Sequence, residues 1–252
     1  EVRVRVETHL NLYYQKKELQ RINAEKDRFF SIIAHDLRGP FSSFLGVTQL
    51  LDEKLSELTK EDIQDFAASM RISATNLFSL LENLLQWAKI KQGLIPFEPT
   101  NMLLFKIAEE SIVNVHEPAK NKGIEIINNI GNDVEVYADK NMLQTVIRNL
   151  VSNAIKFTPK GGKISINAKV GENKTAEISV KDSGIGMNQT MVDNLFRLDV
   201  RTNRPGTEGE ASTGLGLILC KDFIEKQGGK IWVESEEGKG STFYFTIPGS
   251  DE

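Results

Sequence analysis

In the stretch NLVSNAIKF, Asn149, Asn153 and Lys156 stand at i, i+4 and i+7, so the three share one face of a helix. Asparagine in the middle of an otherwise apolar helix is costly unless it binds something. Two amide oxygens and an ammonium on one face suit a magnesium ion and the oxygens of a polyphosphate. Two glycine clusters follow, DSGIGM at 182–187 after a strand-like run and STGLGL at 212–217 opening a helical one. Glycine permits close backbone approach and a helix N-terminus directs unpaired N–H groups at anions, so the second cluster can cradle phosphate. Either cluster alone would serve as an ordinary turn. Asp182, in the turn after a strand, can accept a hydrogen bond from an exocyclic amine such as that of adenine.

A second reactive pair, His35 and Asp36, lies far upstream in SIIAHDLRGP. At about 100° per residue, Ser31, His35, Arg38, Ser42 and Gln49 fall on one polar stripe, opposite Ile33, Leu37, Phe44 and Leu51. This predicts an exposed His35, largely neutral and nucleophilic at neutral pH. Asp36 can accept from Nδ1–H and so leave Nε2 free to attack. Pro40 cannot donate to the Asp36 carbonyl, which predicts a bend just past the pair. His9 and His116 lie in polar surroundings and read as solvent-facing, and Cys220 in LGLILCKDFIEK reads as a buried, inert thiol.

Two kinds of scaffold must position these groups. Residues 7–54 carry apolar side chains at helical spacing, and a second helix runs from Thr59 and Asp62, an S/T-x-x-D/E start signal, to Gly93 and Pro96. Two long helices with a short connection form an antiparallel hairpin, whose remaining apolar surface is covered if two copies pair into a four-helix bundle. A homodimer is therefore expected. Beyond Pro96 the texture changes to a helix near 101–121, the run GIEIIN, the helix DKNMLQTVIRNLVSNAIKF and the strands KISINAKV and TAEISVKD joined by GENK. A helix over about 214–227 follows, then the strands KIWVES and TFYFTIP around GKGS. Strand pairs mixed with helices indicate an α+β two-layer sandwich. The expected organisation is a signalling helix or linker over 1–25, a helical domain over 26–93 and the sandwich over 94–252.

Composition narrows the classes. With 31 basic and 35 acidic side chains among 252 residues, the formal charge of −4 is too balanced for a nucleic-acid surface or a polybasic membrane anchor. The sequence has neither an apolar run long enough to span a bilayer nor the apolar middle of a signal peptide, and its one cysteine excludes an internal disulfide. A cytoplasmic setting without membrane contact by this segment is the expectation.

Taken together, the motifs resemble those of sensor histidine kinases, within the gyrase, chaperone, histidine-kinase and mismatch-repair ATPase superfamily. NLVSNAIKFTPKGG is similar to the N box, DSGIGM to the first glycine box, LFRLD to the phenylalanine box, STGLGL to the second glycine box and AHDLRGP to the H box. The likeness covers about residues 26–248. It implies ATP as substrate with magnesium, Asn153 as chief metal ligand assisted by Asn149, and Lys156 near phosphate. It further implies that Asp182 reads adenine with Gly184 and Gly186 shaping the pocket, and that Gly214 and Gly216 serve a lid over about 188–213. Arg197 is implied as a phosphate contact and Thr242 as a residue near adenine.

Hydrolytic members of the superfamily carry a glutamate one turn before the metal-binding asparagine; here that position is Asn149, and an amide cannot act as the base. A γ-phosphate held here awaits a nucleophile from elsewhere, and His35 is the candidate, with an aspartate-bearing response regulator as the implied recipient. A superfamily ATPase and a dimeric scaffold that binds nucleotide only to change shape are the alternatives. In relatives with phosphatase activity the residue four past the histidine positions water. Here it is Gly39, so weak or absent phosphatase activity is expected. RVETHLNL at the start resembles the closing helix of a receiver domain fused upstream.

Overall fold

The computed structural model describes residues 2–113, 115–171, 174–197, 200, 204–210 and 214–249. The side chains of residues 2, 4, 6, 8, 21, 22, 24–29, 32 and 35 lie outside that description. Among the earlier expectations, the exposure of the His35 imidazole falls outside it. So do the GENK residues 172–173, residues 198–199 of LFRLD, residues 212–213 of STGLGL and, within the lid, 201–203 and 211. By contact the chain forms two units, Glu1–Leu80 with Arg197–Arg201 and Leu81–Phe196 with Thr202–Glu252.

Helix α1 (Val2–Lys54) continues through Pro40, and a 3₁₀ turn at Leu55–Glu57 leads to α2 (Lys60–Lys91), which crosses the boundary between the units. The start of α2 is a capping box, in which Asp62 N–H donates to Thr59 Oγ1 at 3.1 Å and Thr59 N–H donates to Asp62 Oδ2 at 2.9 Å. The Thr59 hydroxyl and then its N–H hold the Asp62 carboxyl below its usual value. At the other end Gly93 takes φ +68°, and Leu94 N–H reaches back to Lys89 O at 2.9 Å, a Schellman closure. Along α1, Ser31, Arg38, Ser42 and Gln49 are exposed, Ile33 is buried, and Leu37, Phe44 and Leu51 are half-buried. The polar stripe is therefore real at these positions.

In the second unit the segment expected as one helix near 101–121 is a strand and two helices: β1 (Thr100–Leu103), α3 (Leu104–Val113) and α4 (His116–Asn121). The start is a strand because Thr100–Leu103 pairs antiparallel with β3 (Glu135–Ala138), a long-range partner that outweighs local helical pattern. Pro118, which has no N–H to donate, sits in the first turn of α4, where none is needed. After β2 (Glu125–Asn128) and β3 comes α5 (Lys140–Phe157), capped by Asp139, whose side chain accepts from Met142 N–H at 3.1 Å. The remaining elements are β4 (Lys163–Val170), β5 (Ala176–Asp182), α6 (Gln189–Asn194), α7 (Leu215–Lys226), β6 (Ile231–Glu236) and β7 (Gly240–Ile247). Helix α6 thus occupies part of the segment expected as lid.

Strands β2, β4, β5, β7 and β6 form one sheet in that order, parallel only between β2 and β4. Alternate residues of β5 and β7 face inward, Ile178 and Val180 on one strand and Phe243, Phe245 and Ile247 on the other. They meet the apolar face of α5, where Leu143, Val146, Ile147 and Leu150 are fully buried, and the core also takes in Trp87, Ile90 and Ile95 around the end of α2. This is the α+β two-layer sandwich.

Candidate nucleotide site

Strand register places Asp182. It is the last residue of β5 and continues the inward set of Ala176, Ile178 and Val180, so the alternation that builds the core also delivers a carboxylate to a position only 4% exposed. Its Oδ1 accepts from Gly184 N–H at 2.8 Å and from Ser241 N–H at 3.2 Å. Oδ2 makes no hydrogen bond among the described residues. Burial pushes the Asp182 carboxyl above its ordinary value, against the pull of those two N–H groups and of the nearby Arg204 guanidinium. An oriented carboxylate with one oxygen left over fits an amine donor.

The backbone around it is drawn tight. A Cβ at Gly184 would stand 2.5 Å from Phe157 O and 2.6 Å from Asp182 Oδ1. Gly186, at φ +63°, lies against Glu236 O of the β6–β7 hairpin. Gly240, at φ +96°, opens β7 and lies against Asp182 O, where a Cβ would collide. Thr242 pairs opposite Lys181, one residue before Asp182, and is half-buried.

Helix α5 brings the polar trio beside this loop. Asn149, Asn153 and Lys156 are half-buried along one edge of the helix. Asn149 Nδ2 is buried and, among the described residues, has no hydrogen-bond partner: the amide acts on the neighbouring Cys220 thiol, but sulfur is a weak acceptor and the geometry is not that of a bond. The thiol is itself buried, which pushes it up to about 12, as expected of an inert cysteine. The first turn of α7 adjoins Asn149, since a Cβ on Gly216 would stand 3.7 Å from Asn149 Oδ1, and Gly214 caps α7 in the left-handed region at φ +67°.

Lys156 is partly buried, and desolvation lowers it to about 8, opposed by Glu210 and reinforced by Lys122. Its ammonium lies 5.4 Å from the Phe157 ring centre. Arg197 is exposed and grouped with the first unit.

The structure adds residues that the motif reading passed over. Arg204 Nη2 donates to Gly186 O at 2.5 Å and its guanidinium lies 5.1 Å from the Phe157 ring centre. Burial lowers it, against the attraction of Glu237 and Asp182. Lys122 packs beneath the end of α5, and Ser241 orients Asp182 through its main chain. A main-chain donor leaves no side-chain signature, whereas the basic residues in the polar run RTNRPGTEGEAS were a visible signal for Arg204.

An orphaned amide, a free carboxylate oxygen and an ammonium around glycine-built turns fit a nucleotide. Among the described residues no three His, Cys, Asp or Glu side chains gather as a metal site.

Two family models match the chain: "Histidine kinase-, DNA gyrase B-, and HSP90-like ATPase" over residues 138–251 and "His Kinase A (phospho-acceptor) domain" over residues 25–93. The chain belongs to the sensor histidine kinases. Its second unit carries their ATP-binding domain. Relatives of this kinase core include the adaptive-response sensory kinase SasA of Prochlorococcus marinus, 33% identical over 97% of this chain and 65% of its own length. The hybrid signal transduction protein dokA of Dictyostelium discoideum is 33% identical over 93% of this chain and 14% of its own. The chain thus spans less than two thirds of the length of these curated relatives. The solved catalytic domain of histidine kinase ThkA is 30% identical, with a TM-score of 0.53 over 62% of this chain and 99% of that one. ThkA in complex with response regulator protein TrrA shares the fold over 94% of this chain and 66% of that one, at TM-score 0.71 and 24% identity. Among the described residues, no helix is long and apolar enough to cross a membrane.

Proposed function

We propose that this kinase core transfers the γ-phosphoryl group of ATP to His35 and from there to an aspartate of a response regulator. The observation that carries the reading is the chemistry of one face of α5: two amides and an ammonium, with Asn149 where a hydrolytic relative needs a carboxylate. The phosphoryl group then goes to a side chain, and residues 25–93, matched as a phospho-acceptor domain, contain His35. Asp182 accepts the adenine amine, Gly184 and Gly186 let the backbone close on the base, and Thr242 lines its edge. Asn153 with Asn149 holds magnesium, which when bound neutralises phosphate charge. Lys156 and the first turn of α7, with Gly214 and Gly216, meet the phosphates, and Arg197 is assigned to them from outside that turn.

Asp36 accepts from His35 Nδ1–H, so Nε2 attacks phosphorus. The P–N bond forms as the bond to the β,γ-bridging oxygen breaks, and ADP leaves with that electron pair. The domains are 26–93 for dimerisation and phosphotransfer and 94–252 for ATP, with 1–25 a signalling helix. The dimer is supported by the large apolar side chains that α1 and α2 leave exposed. A response-regulator partner is supported by the ThkA complex. We place the segment in the cytoplasm, where ATP and a reduced Cys220 are both at home. Phosphatase activity is weak, because Gly39 offers no side chain to hold water.

Incubation with γ-labelled ATP and magnesium is expected to label His35 through an acid-labile bond. A His35→Gln chain that still labels in this way would overturn the assignment. Mixing a His35→Gln chain with an Asn153→Ala chain tells transfer within a protomer from transfer between protomers.

A further inference from the structure

Lys122, in the turn between α4 and β2, has no part in the reaction described above, yet its side chain is only 4% exposed. Its ammonium faces four oxygens: Ile155 O at 3.1 Å, Lys156 O at 3.2 Å, Thr207 Oγ1 at 2.8 Å and Glu210 Oε1 at 2.6 Å. The two carbonyls belong to the last turn of α5, which helix geometry leaves without intrahelical donors and which favours a cation. Thr207 and Glu210 belong to residues 204–210, a segment outside any helix or strand.

The segment is held to α5 by more than the ion pair. Thr207 N–H donates to Lys156 O at 3.0 Å, and Thr207 Oγ1 lies 3.1 Å from Thr158 O. Gly206 has room for no side chain, since a Cβ there would overlap the Glu210 carboxylate and stand 2.6 Å from Lys156 Cγ. Burial pushes the Glu210 carboxyl up, but hydrogen bonds from Lys122 and from the N–H groups of Glu210 and Glu208 bring it below its usual value. Glu210 keeps contact with solvent, but the Lys122 ammonium does not, and burying an ammonium is a costly way to secure a loop unless its position matters.

We propose that Lys122 is a positioning residue for nucleotide binding, clamping residues 204–210 through Thr207 and Glu210 to the end of α5 and thereby fixing Lys156 for the phosphates. This rests on the nucleotide reading of the site and adds a residue outside its motifs. Burial is the first cause of the lowered Lys156, and the two clamp residues act on it in opposite directions. Among the groups that act on that ammonium are Glu210 from the segment and Lys122 from the α4–β2 turn, with Arg204 on the same Phe157 ring. Glu210 raises Lys156 and Lys122 lowers it.

The test is calorimetric titration of the full chain with ATP and magnesium, and separately with adenosine, at pH values on both sides of 8. Lys122→Met and Glu210→Gln are each expected to weaken ATP about tenfold, the scale of one charge-assisted hydrogen bond, and to leave adenosine unchanged. The pH at which ATP affinity falls is expected to move down in Glu210→Gln and up in Lys122→Met, a pair of opposite shifts that loosened packing would not produce. Unchanged ATP affinity in the folded variants, an equal loss for adenosine, or midpoints moving the same way would overturn the proposal. If Lys122→Met does not fold, Glu210→Gln decides alone by the same criteria. Failure of the unaltered chain to bind ATP would overturn the nucleotide reading and this inference with it, whereas normal binding with indifferent variants would overturn the inference alone.

Discussion

Along α1 and α2, Phe41, Leu45, Ile72 and Phe78 are 52% to 64% exposed, whereas in the ATP-binding unit Phe245, Leu143, Ile178 and Leu219 are fully buried. Both regions have apolar residues at regular spacing; they differ in whether one chain supplies both sides of the contact. A sheet with helices on one face closes its own core. A pair of helices cannot, and its outer apolar side chains call for a second surface, which we assign to another copy of the chain. On that assignment the helical half is the one whose structure depends on assembly.

The sharpest way to break this contrast is in the self-sufficient half. Phe245→Ala is expected to destabilise the ATP-binding unit by about 3–5 kcal/mol. Both tryptophans, Trp87 and Trp232, belong to that unit, so denaturant unfolding followed by tryptophan fluorescence reads it directly. A paired Leu45→Glu and Phe78→Glu change is expected to weaken the dimer by more than about a hundredfold, or about 3 kcal/mol, by sedimentation. The same variant should leave the tryptophan transition where it was. A shift of that transition would mean that the two halves are not independent.

Smaller effects sharpen where one half ends. Trp87 and Ile90 pack on the core of the ATP-binding unit although they belong to helix α2. A fragment beginning at residue 81 is therefore expected to be more stable than one beginning at 94 by roughly 2 kcal/mol of apolar burial, measured by the same fluorescence. Equal stabilities would return the boundary to the end of the helix. The smallest effect is electrostatic. Lys156 loses its charge as pH rises through about 8, so ATP affinity is expected to be full below that value and to fall above it, by no more than about tenfold per pH unit. Adenosine affinity should not follow this profile.

Legibility varied with the range of the interaction. Both long helices, the caps at Thr59 and Gly93, helix α5 and strands β4 to β7 could be read because each is encoded by neighbouring residues. The strand β1 was not, because its identity depends on β3, more than 30 residues away. Asp182 was legible as an acceptor after a strand, but not the Ser241 N–H that orients it or Gly240, which makes room beside it. Lys122 looked like any surface lysine in KNKG; its partners lie 33 to 88 positions further along.

The sequence by itself determined the periodicities, the polar trio on α5, the order of the glycine turns and the placing of His35 beside Asp36, because these are properties of residue type and short spacing. Only the tertiary structure decided that, among the described residues, one oxygen of Asp182 and Asn149 Nδ2 are left without a partner, and that Lys122 is buried against α5 and Glu210. Hydrogen-bond satisfaction and desolvation depend on what the rest of the chain packs around a group, and no local pattern records that.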